Sequence, residues 1–386
     1  MKAMTITVKS KLPHVGTTIF TVMSRKAEQL GAINLSQGFP DFDAPLPLRE
    51  LLAEHVAAGR NQYPPMAGVP ALREQIAAKV ARIYGADVSP ELAVTVVPGA
   101  TTAIFSAILA LVGPGDEVIT LDPSYDSYEP SITLAGARAI RVPLVPPAFG
   151  VDWQRVADSV SPRTRMIVIN TPHNPTGAIL SAEDMSALTA LAERHNLIVL
   201  SDEVYEHLVY DGQRHESVLR YPALAARSLA VFSFGKTYHA TGWKTGYCIG
   251  PPELTAEFRK VHQFNTFVAV APIQYALADF MARHPEHYLT LDNFYQAKRD
   301  FFNRSVAESR FTLTPAPGTF FQLLDYSAIA DVDDVTMCER LVTEHGVASI
   351  PLSVFCEHPP ATRVLRFCFA KQESTLASAA ERLCAI

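Results

Sequence analysis

No part of this 386-residue chain is apolar for long enough to cross a bilayer. Its most hydrophobic run, "AIFSAILALV", covers only residues 103–112, whereas a membrane-spanning helix needs about 20 such residues. An excess of positive charge is missing too. The 33 Lys+Arg against 39 Asp+Glu leave a formal net charge of −6, which argues against a general nucleic-acid footprint. No block of like charges and no low-complexity segment marks a disordered tail. Cysteine is sparse: five residues, at 248, 338, 356, 368 and 384, with no C-x-x-C among them. An odd, scattered set predicts reduced thiols, most of them small buried apolar residues. The N-terminal "MKAMTITVKSKLPHVG" lacks the apolar core of a signal peptide. These absences predict a soluble, cytoplasmic, globular protein with no membrane or nucleic-acid partner. The length suits one large and one smaller domain.

What is present is an α/β pattern. From about residue 90 to 250, short apolar runs alternate with helical segments: "AVTVV" (93–97), "EVIT" (117–120), "MIVIN" (166–170), "LIVLS" (197–201), "LAVFS" (229–233) and "GYCIG" (246–250). Near-continuous apolar strands separated by amphipathic stretches such as 181–195 predict a mostly parallel sheet covered on both faces. Right-handed crossovers then gather the loops after the strands along one crevice, where such folds bind ligands. After about 285 the pattern changes to one long helix, "EHYLTLDNFYQAKRDFFNRSVAES", and strand-like pieces at 319–324, 347–350 and 364–369. The expected division is 1–45 as an arm that joins the small domain, 46–284 as the large domain and 285–386 as a small α+β domain.

Several strand ends carry polar residues that a covered sheet does not require. "VVPGATTA" places Gly99 at a turn and opens a helix at Ala100 and Thr101, a geometry that offers backbone N–H groups to an anion. "NTPHNPTG" (170–177) puts two asparagines in a rigid turn. "LSDEVYEHL" (200–208) ends a strand in Asp202 and Glu203, which alternation sends in opposite directions. A carboxylate there needs a partner, and Tyr205 follows closely. "SFGKTYHATGWKTGY" (233–247) sets Ser233 and Lys236 just past another strand, with Lys244 eight positions on.

"NPTG", "SDEVYE" and "SFGKTYHATGWKTGY", in this order, resemble the signatures of class I aminotransferases, which use pyridoxal 5′-phosphate on the fold type I scaffold with its seven-stranded sheet. "NLSQGFPDFDAP" (34–45), "NQYPPMAGVPALRE" (61–74), "DPSYDSYEP" (122–130), "IPLSVF" (350–355) and "RVLRFCFAK" (363–371) extend the resemblance nearly end to end. Within the family the wording is most similar to the methionine (aromatic) branch, beside the kynurenine and glutamine transaminases. The resemblance implies that Lys236 forms the aldimine with the cofactor and shuttles the proton. It implies Asp202 at the pyridine nitrogen, Asn174 and Tyr205 at the ring 3′-oxygen, and Tyr125 stacked on the ring. The phosphate would lie at Gly99, Ala100, Thr101, Ser233 and Lys244, the last in a place where the family more often has arginine. Tyr63 would reach the phosphate of a partner subunit, which implies a homodimer. Arg366 rather than Arg363 would clamp the substrate carboxylate, helped by Gly38 and Asn174.

Phe20, Phe39, Tyr125 and Phe355 are expected to line an apolar side-chain pocket suited to methionine or aromatic donors. A lysine is required at 236 because an amine both makes the imine and moves protons, which a permanently protonated arginine does not. The same chemistry supports β-elimination from cysteine conjugates. A non-catalytic regulator of the same fold would need an added DNA-binding domain, and the signatures here begin by residue 34. His284 and His287 share a helix face, but no third ligand accompanies them, so no metal is expected.

Overall fold

A computed structural model describes residues 8–386; the first seven residues of the expected 1–45 segment lie outside the described residues. The strands in chain order are β1 (Ile33–Asn34), β2 (Val94–Val97), β3 (Glu117–Asp122), β4 (Arg138–Pro143), β5 (Thr164–Asn170), β6 (Ile198–Asp202), β7 (Ser228–Ser233), β8 (Gly246–Ile249), β9 (Phe321–Asp325), β10 (Val347–Ala348), β11 (Ile350–Pro351) and β12 (Val364–Cys368). A seven-stranded sheet runs in the order β2-β8-β7-β6-β5-β3-β4. Only β8 runs against the others, pairing antiparallel with both β2 and β7. The sheet is therefore mostly parallel, and the loops after β2, β5, β6 and β7 meet the loop before β8 at one edge.

Alternation along the strands divides the core in two. Ile167, Ile169, Val199, Ala230 and Phe232 pack into one apolar cluster. Their neighbours Met166, Val168, Ile198, Leu200, Leu229 and Val231 pack into the other, with Ala103, Ile104, Ala107 and Ile108 of the helix Ala100–Leu111. Both faces are thus dry, which is why these strands read as unbroken apolar runs. The same parity sends the last residues Asn170, Asp202 and Ser233 to the face covered by that helix, and Glu203 to the opposite face.

The expected helix at 181–195 is observed as Ala182–Arg194, started by a capping box. Ser181 Oγ accepts from the Asp184 N–H, and the Asp184 carboxylate accepts from the Ser181 N–H. Three expectations need correction. The long helix after 285 is broken at Thr290 into Glu286–Leu289 and Leu291–Ser305. The piece at 347–350 divides at Ser349 into β10 and β11, which belong to different sheets. Strand β4, "RAIRVP", was not expected, because an edge strand with half-exposed positions carries two arginines and no apolar run.

Three of the five remaining strands form an antiparallel sheet, β11-β12-β9. Near the start of the chain, β1 pairs in parallel with β10, and the Cys368 N–H donates to the Leu35 carbonyl oxygen. These bonds bring Ser36, Gln37 and Gly38 to the strand that carries Arg366. At the other side of the crevice, Gly246 opens β8 where a Cβ would fall inside contact distance of the Phe232 carbonyl oxygen. Only glycine lets this backbone approach so closely.

Candidate active site

The convergent loops enclose a cavity of about 240 Å³, whose walls include Lys236, Asp202, Asn174, Tyr205, Lys244 and Arg366. Each arrives from a different element. Lys236 rides a single helical turn, Phe234–Thr237, directly after β7. Its Nζ donates to the Gly38 carbonyl oxygen at 2.9 Å and lies 5.1 Å from the Phe320 ring centre and 5.5 Å from that of Tyr205. Burial lowers its pKa to about 8, with Arg366 and Lys244 pushing the same way and Asp202 opposing. The neutral amine is thereby within reach near physiological pH.

Asp202 ends β6 and is buried. Its carboxylate accepts from Tyr128 Oη at 2.6 Å and from the Val204 N–H at 3.3 Å. Burial raises its pKa to about 6, against the pull of those two donors. Asn170 knits the adjacent loops together: its Nδ2 donates to the Asp202 carbonyl oxygen and its Oδ1 accepts from the Asn174 N–H. Both asparagines of "NTPHNPTG" line the cavity, and Asn170 also ties the loops together.

Glu203 points away, as alternation requires. It accepts from Ser201 Oγ and the Val218 N–H and contacts His215 Nε2 at 2.8 Å. Three residues on, the buried carboxylate of Glu206 holds Lys79 and Tyr84, and Tyr247 Oη lies 2.7 Å from Lys79 Nζ. The loop carrying Tyr205 is fixed on both sides by these anchors. Lys79, Tyr84, Glu206 and Tyr128 were missed in the sequence, because each is joined to its partner only by the fold.

Arg366 is 1% exposed. It donates to Asn174 Oδ1 at 2.8 Å and to the Ser36 carbonyl oxygen at 2.9 Å, and its guanidinium carbon lies 4.0 Å from the Phe321 ring centre. Its Nε is buried without a partner, and among the described residues it has no ion pair. Burial lowers its pKa to about 10. A buried guanidinium with no protein carboxylate beside it has the chemistry to receive an anion. Arg363, by contrast, faces outward and pairs with Asp331.

A second anion cradle lies at the start of the helix Ala100–Leu111. The Ala100 and Thr101 N–H groups have no intrahelical acceptor, Gly99 has φ +85°, and a Cβ there would sit 3.3 Å from Lys244 Nζ. Lys244 itself adopts a left-handed conformation, φ 48°, strain that a non-glycine residue bears only where its surroundings impose it. Ser233, at the near end of the same cradle, also lines the cavity.

The remaining expected residues divide. Phe20, Tyr125 and Gly38 line the cavity. Phe355 lies beside it, 5.8 Å from Phe20 between ring centres. Phe39 does not line it: its ring is 44% exposed and turned outward under Lys371 Nζ at 4.8 Å. Gly38 and Phe39 face opposite ways, so only the former reaches the interior. Tyr63 is 81% exposed and lies against Phe267 rather than in this cavity. His239 contacts Tyr295 Oη, His284 contacts Glu286, and His287 contacts the Thr237 carbonyl oxygen. No group of metal-holding residues occurs among the described residues.

Known proteins resemble this chain along nearly its whole length. Residues 31–383 match the family described as aminotransferase class I and II. The chain is 55% identical over 375 residues to a methionine aminotransferase of Escherichia coli strain K12, covering 97% of each. It is also similar to a crystal structure from Escherichia coli reported with a methionine aminotransferase function, with TM-score 0.97, 54% identity and coverage of 99% of this chain and 100% of that one. A mutant aspartate aminotransferase of Thermus thermophilus superposes with TM-score 0.89 at 32% identity, covering 99% and 100%. The scaffold is that of the fold type I aminotransferases. With a match across nearly its whole length, and with a half-buried lysine, a buried aspartate and a buried arginine gathered at the sheet edge, the chain belongs to the class I and II aminotransferase family.

Proposed function

We propose that the protein is a pyridoxal 5′-phosphate-dependent transaminase that moves an amino group from methionine or an aromatic amino acid to a 2-oxo acid. The observation that carries this reading is the meeting of Lys236, Asp202 and Arg366 around one cavity, beside an anion cradle at a helix N-terminus. The residues fit the cofactor in chemistry. Gly99, Ala100, Thr101, Ser233 and Lys244 would hold its phosphate. Asp202, whose charge burial disfavours, would gain a cationic partner in the ring nitrogen. Asn174 and Tyr205 would hydrogen-bond the ring oxygen, and Tyr125 would cover the ring face. Bound there, pyridoxal 5′-phosphate supplies an aldehyde for an amine and a ring that accepts the electrons left at the substrate Cα.

The protein residues then divide the work. Arg366, in the lowered polarity of the interior, holds the donor's carboxylate through its fork of N–H groups. Asn174, already bonded to it, fixes that fork in place. Lys236, half-buried and tuned toward its neutral form, takes the proton from Cα and returns it on the other side of the transfer. Phe20 and Phe355 present apolar surface to the donor side chain. Names of the relatives include both methionine and aspartate aminotransferases, so methionine as donor rests on the higher identity and on these apolar walls.

Tyr63, Phe264, Phe267 and Val270 form an exposed apolar group, which supports a homodimer in which Tyr63 reaches the partner's phosphate site. The protein should sediment at twice its chain mass of 42.2 kDa; a monomer at micromolar concentration would remove Tyr63 from the proposal.

Lys236→Ala should abolish transamination and the adduct fixed by borohydride reduction. Capture of the cofactor on Lys244 instead would overturn the assignment. Assayed against the common amino donors, the purified enzyme should favour methionine and the aromatics over aspartate and glutamate; the reverse order would sink the donor assignment.

Burial of Lys236 also links stability to pH. Its folded pKa of about 8 lies below the ordinary 10.5, so between these values the unfolded chain binds more protons and stability of the apoprotein rises with pH. Lys236→Met should therefore stabilise the apoprotein by about 3 kcal/mol at pH 7, an advantage that fades as pH rises toward 10.5. A gain that stays constant with pH in denaturant titrations would show that the amine is not buried in its charged form.

A further inference from the structure

A second cavity, of about 550 Å³, adjoins the candidate site and shares Phe20 and Tyr125 with it. Phe355 forms part of its wall, and the Arg366 guanidinium lies 5.2 Å from the Phe20 ring centre and 5.5 Å from that of Phe355. A donor held by its carboxylate on Arg366 therefore extends its side chain past these rings into the second chamber.

That chamber carries charge beyond its apolar entrance. Arg141, Glu129 and Asp126 all line it. The arginine is already engaged: it donates to Asp122 at 2.7 Å, to Glu129 at 2.8 Å and to the Phe355 carbonyl oxygen. Asp126 has no ion pair among the described residues. Asp126 is exposed on this wall; partial desolvation raises its pKa, while the nearby Arg366 guanidinium pulls the other way. The unpaired charge on the chamber wall is thus negative, and the guanidinium that lines the chamber is engaged through Nε, Nη1 and Nη2.

We infer that Asp126 determines donor selectivity, excluding amino donors whose side chain ends in a carboxylate and admitting neutral ones. The inference rests on the transaminase reading and deepens it. Glutamate and glutamine differ at that end by one charge with almost no change of shape, so their ratio isolates the electrostatic contribution from pocket size.

The decisive measurement is the ratio of kcat/KM for glutamate to that for glutamine in the holoenzyme. Asp126→Asn should raise this ratio about tenfold, since one like-charge contact is removed. A change within about twofold would overturn the inference. Added salt should raise the ratio in the unsubstituted enzyme by screening Asp126, and should leave it flat in the variant. If Asp126→Asn does not fold, the salt series on the unsubstituted enzyme decides alone, and a flat ratio there counts against Asp126. Calorimetric titration with glutarate and with pentanoate needs no turnover. Glutarate should tighten about tenfold in the variant, whereas pentanoate should not. That arm decides the role of Asp126 even if no amino donor reacts, a result that would remove the transaminase reading itself.

Discussion

The site depends on one constraint: the half-buried Lys236 amine is held in a cavity among aromatic rings, where protein takes the place of much of its water. Lys236 sits beside aromatic rings with two cations, Arg366 and Lys244, acting on it. Desolvation and like charge both favour its neutral form. The same desolvation pushes Asp202 up to about 6 and Arg366 down to about 10. Three groups of unlike chemistry are thus all displaced toward neutrality by a single cause. A ligand set that supplies an anion to Arg366 and a cation to Asp202 relieves two of these costs together, which is the physical sense in which the chemistry of the cavity fits the proposed cofactor and substrate.

Such a site stays in place because rigid elements surround it. The parity of β5, β6 and β7 sends Asn170, Asp202 and Ser233 to the face covered by the helix Ala100–Leu111. The opposite face takes Glu203, and beyond the strand Glu206 is locked to Lys79 and Tyr84. Burial lowers the pKa of Lys79 even though Glu206 opposes the shift. Removing either partner would leave a buried charge alone, so this pair fixes the Tyr205 loop more firmly than it stabilises the fold. Lys244 is the counterpart on the anion side: its left-handed backbone brings Nζ over Gly99.

Much of this was legible in the sequence where the signal was local. Covered strands read as apolar runs, and the parity rule separated Asp202 from Glu203 and Arg366 from Arg363 before any coordinates. Contacts across many residues left no such mark. Tyr128 reaches Asp202 across 74 positions and Lys79 reaches Glu206 across 127, so no spacing rule could pair them. Strand β4 was hidden because its pairing with β3 is a property of the sheet edge. Phe39 was misplaced because an irregular segment has no period from which to read its facing.

Similarity at the level of the backbone does not determine the donor. Chains reported as methionine and aspartate aminotransferases superpose on this one with TM-scores of 0.97 and 0.89. Discrimination must then arise from side chains rather than from the scaffold. Apolar walls alone discriminate weakly, because one methylene is worth only about 1–3 kcal/mol. A fixed charge in a partly enclosed chamber acts over a longer range and distinguishes side chains of equal size. Phe20 and Phe355 supply the apolar walls that the proposed donors need, and an unpaired carboxylate behind them is the kind of element that refusal of acidic ones requires.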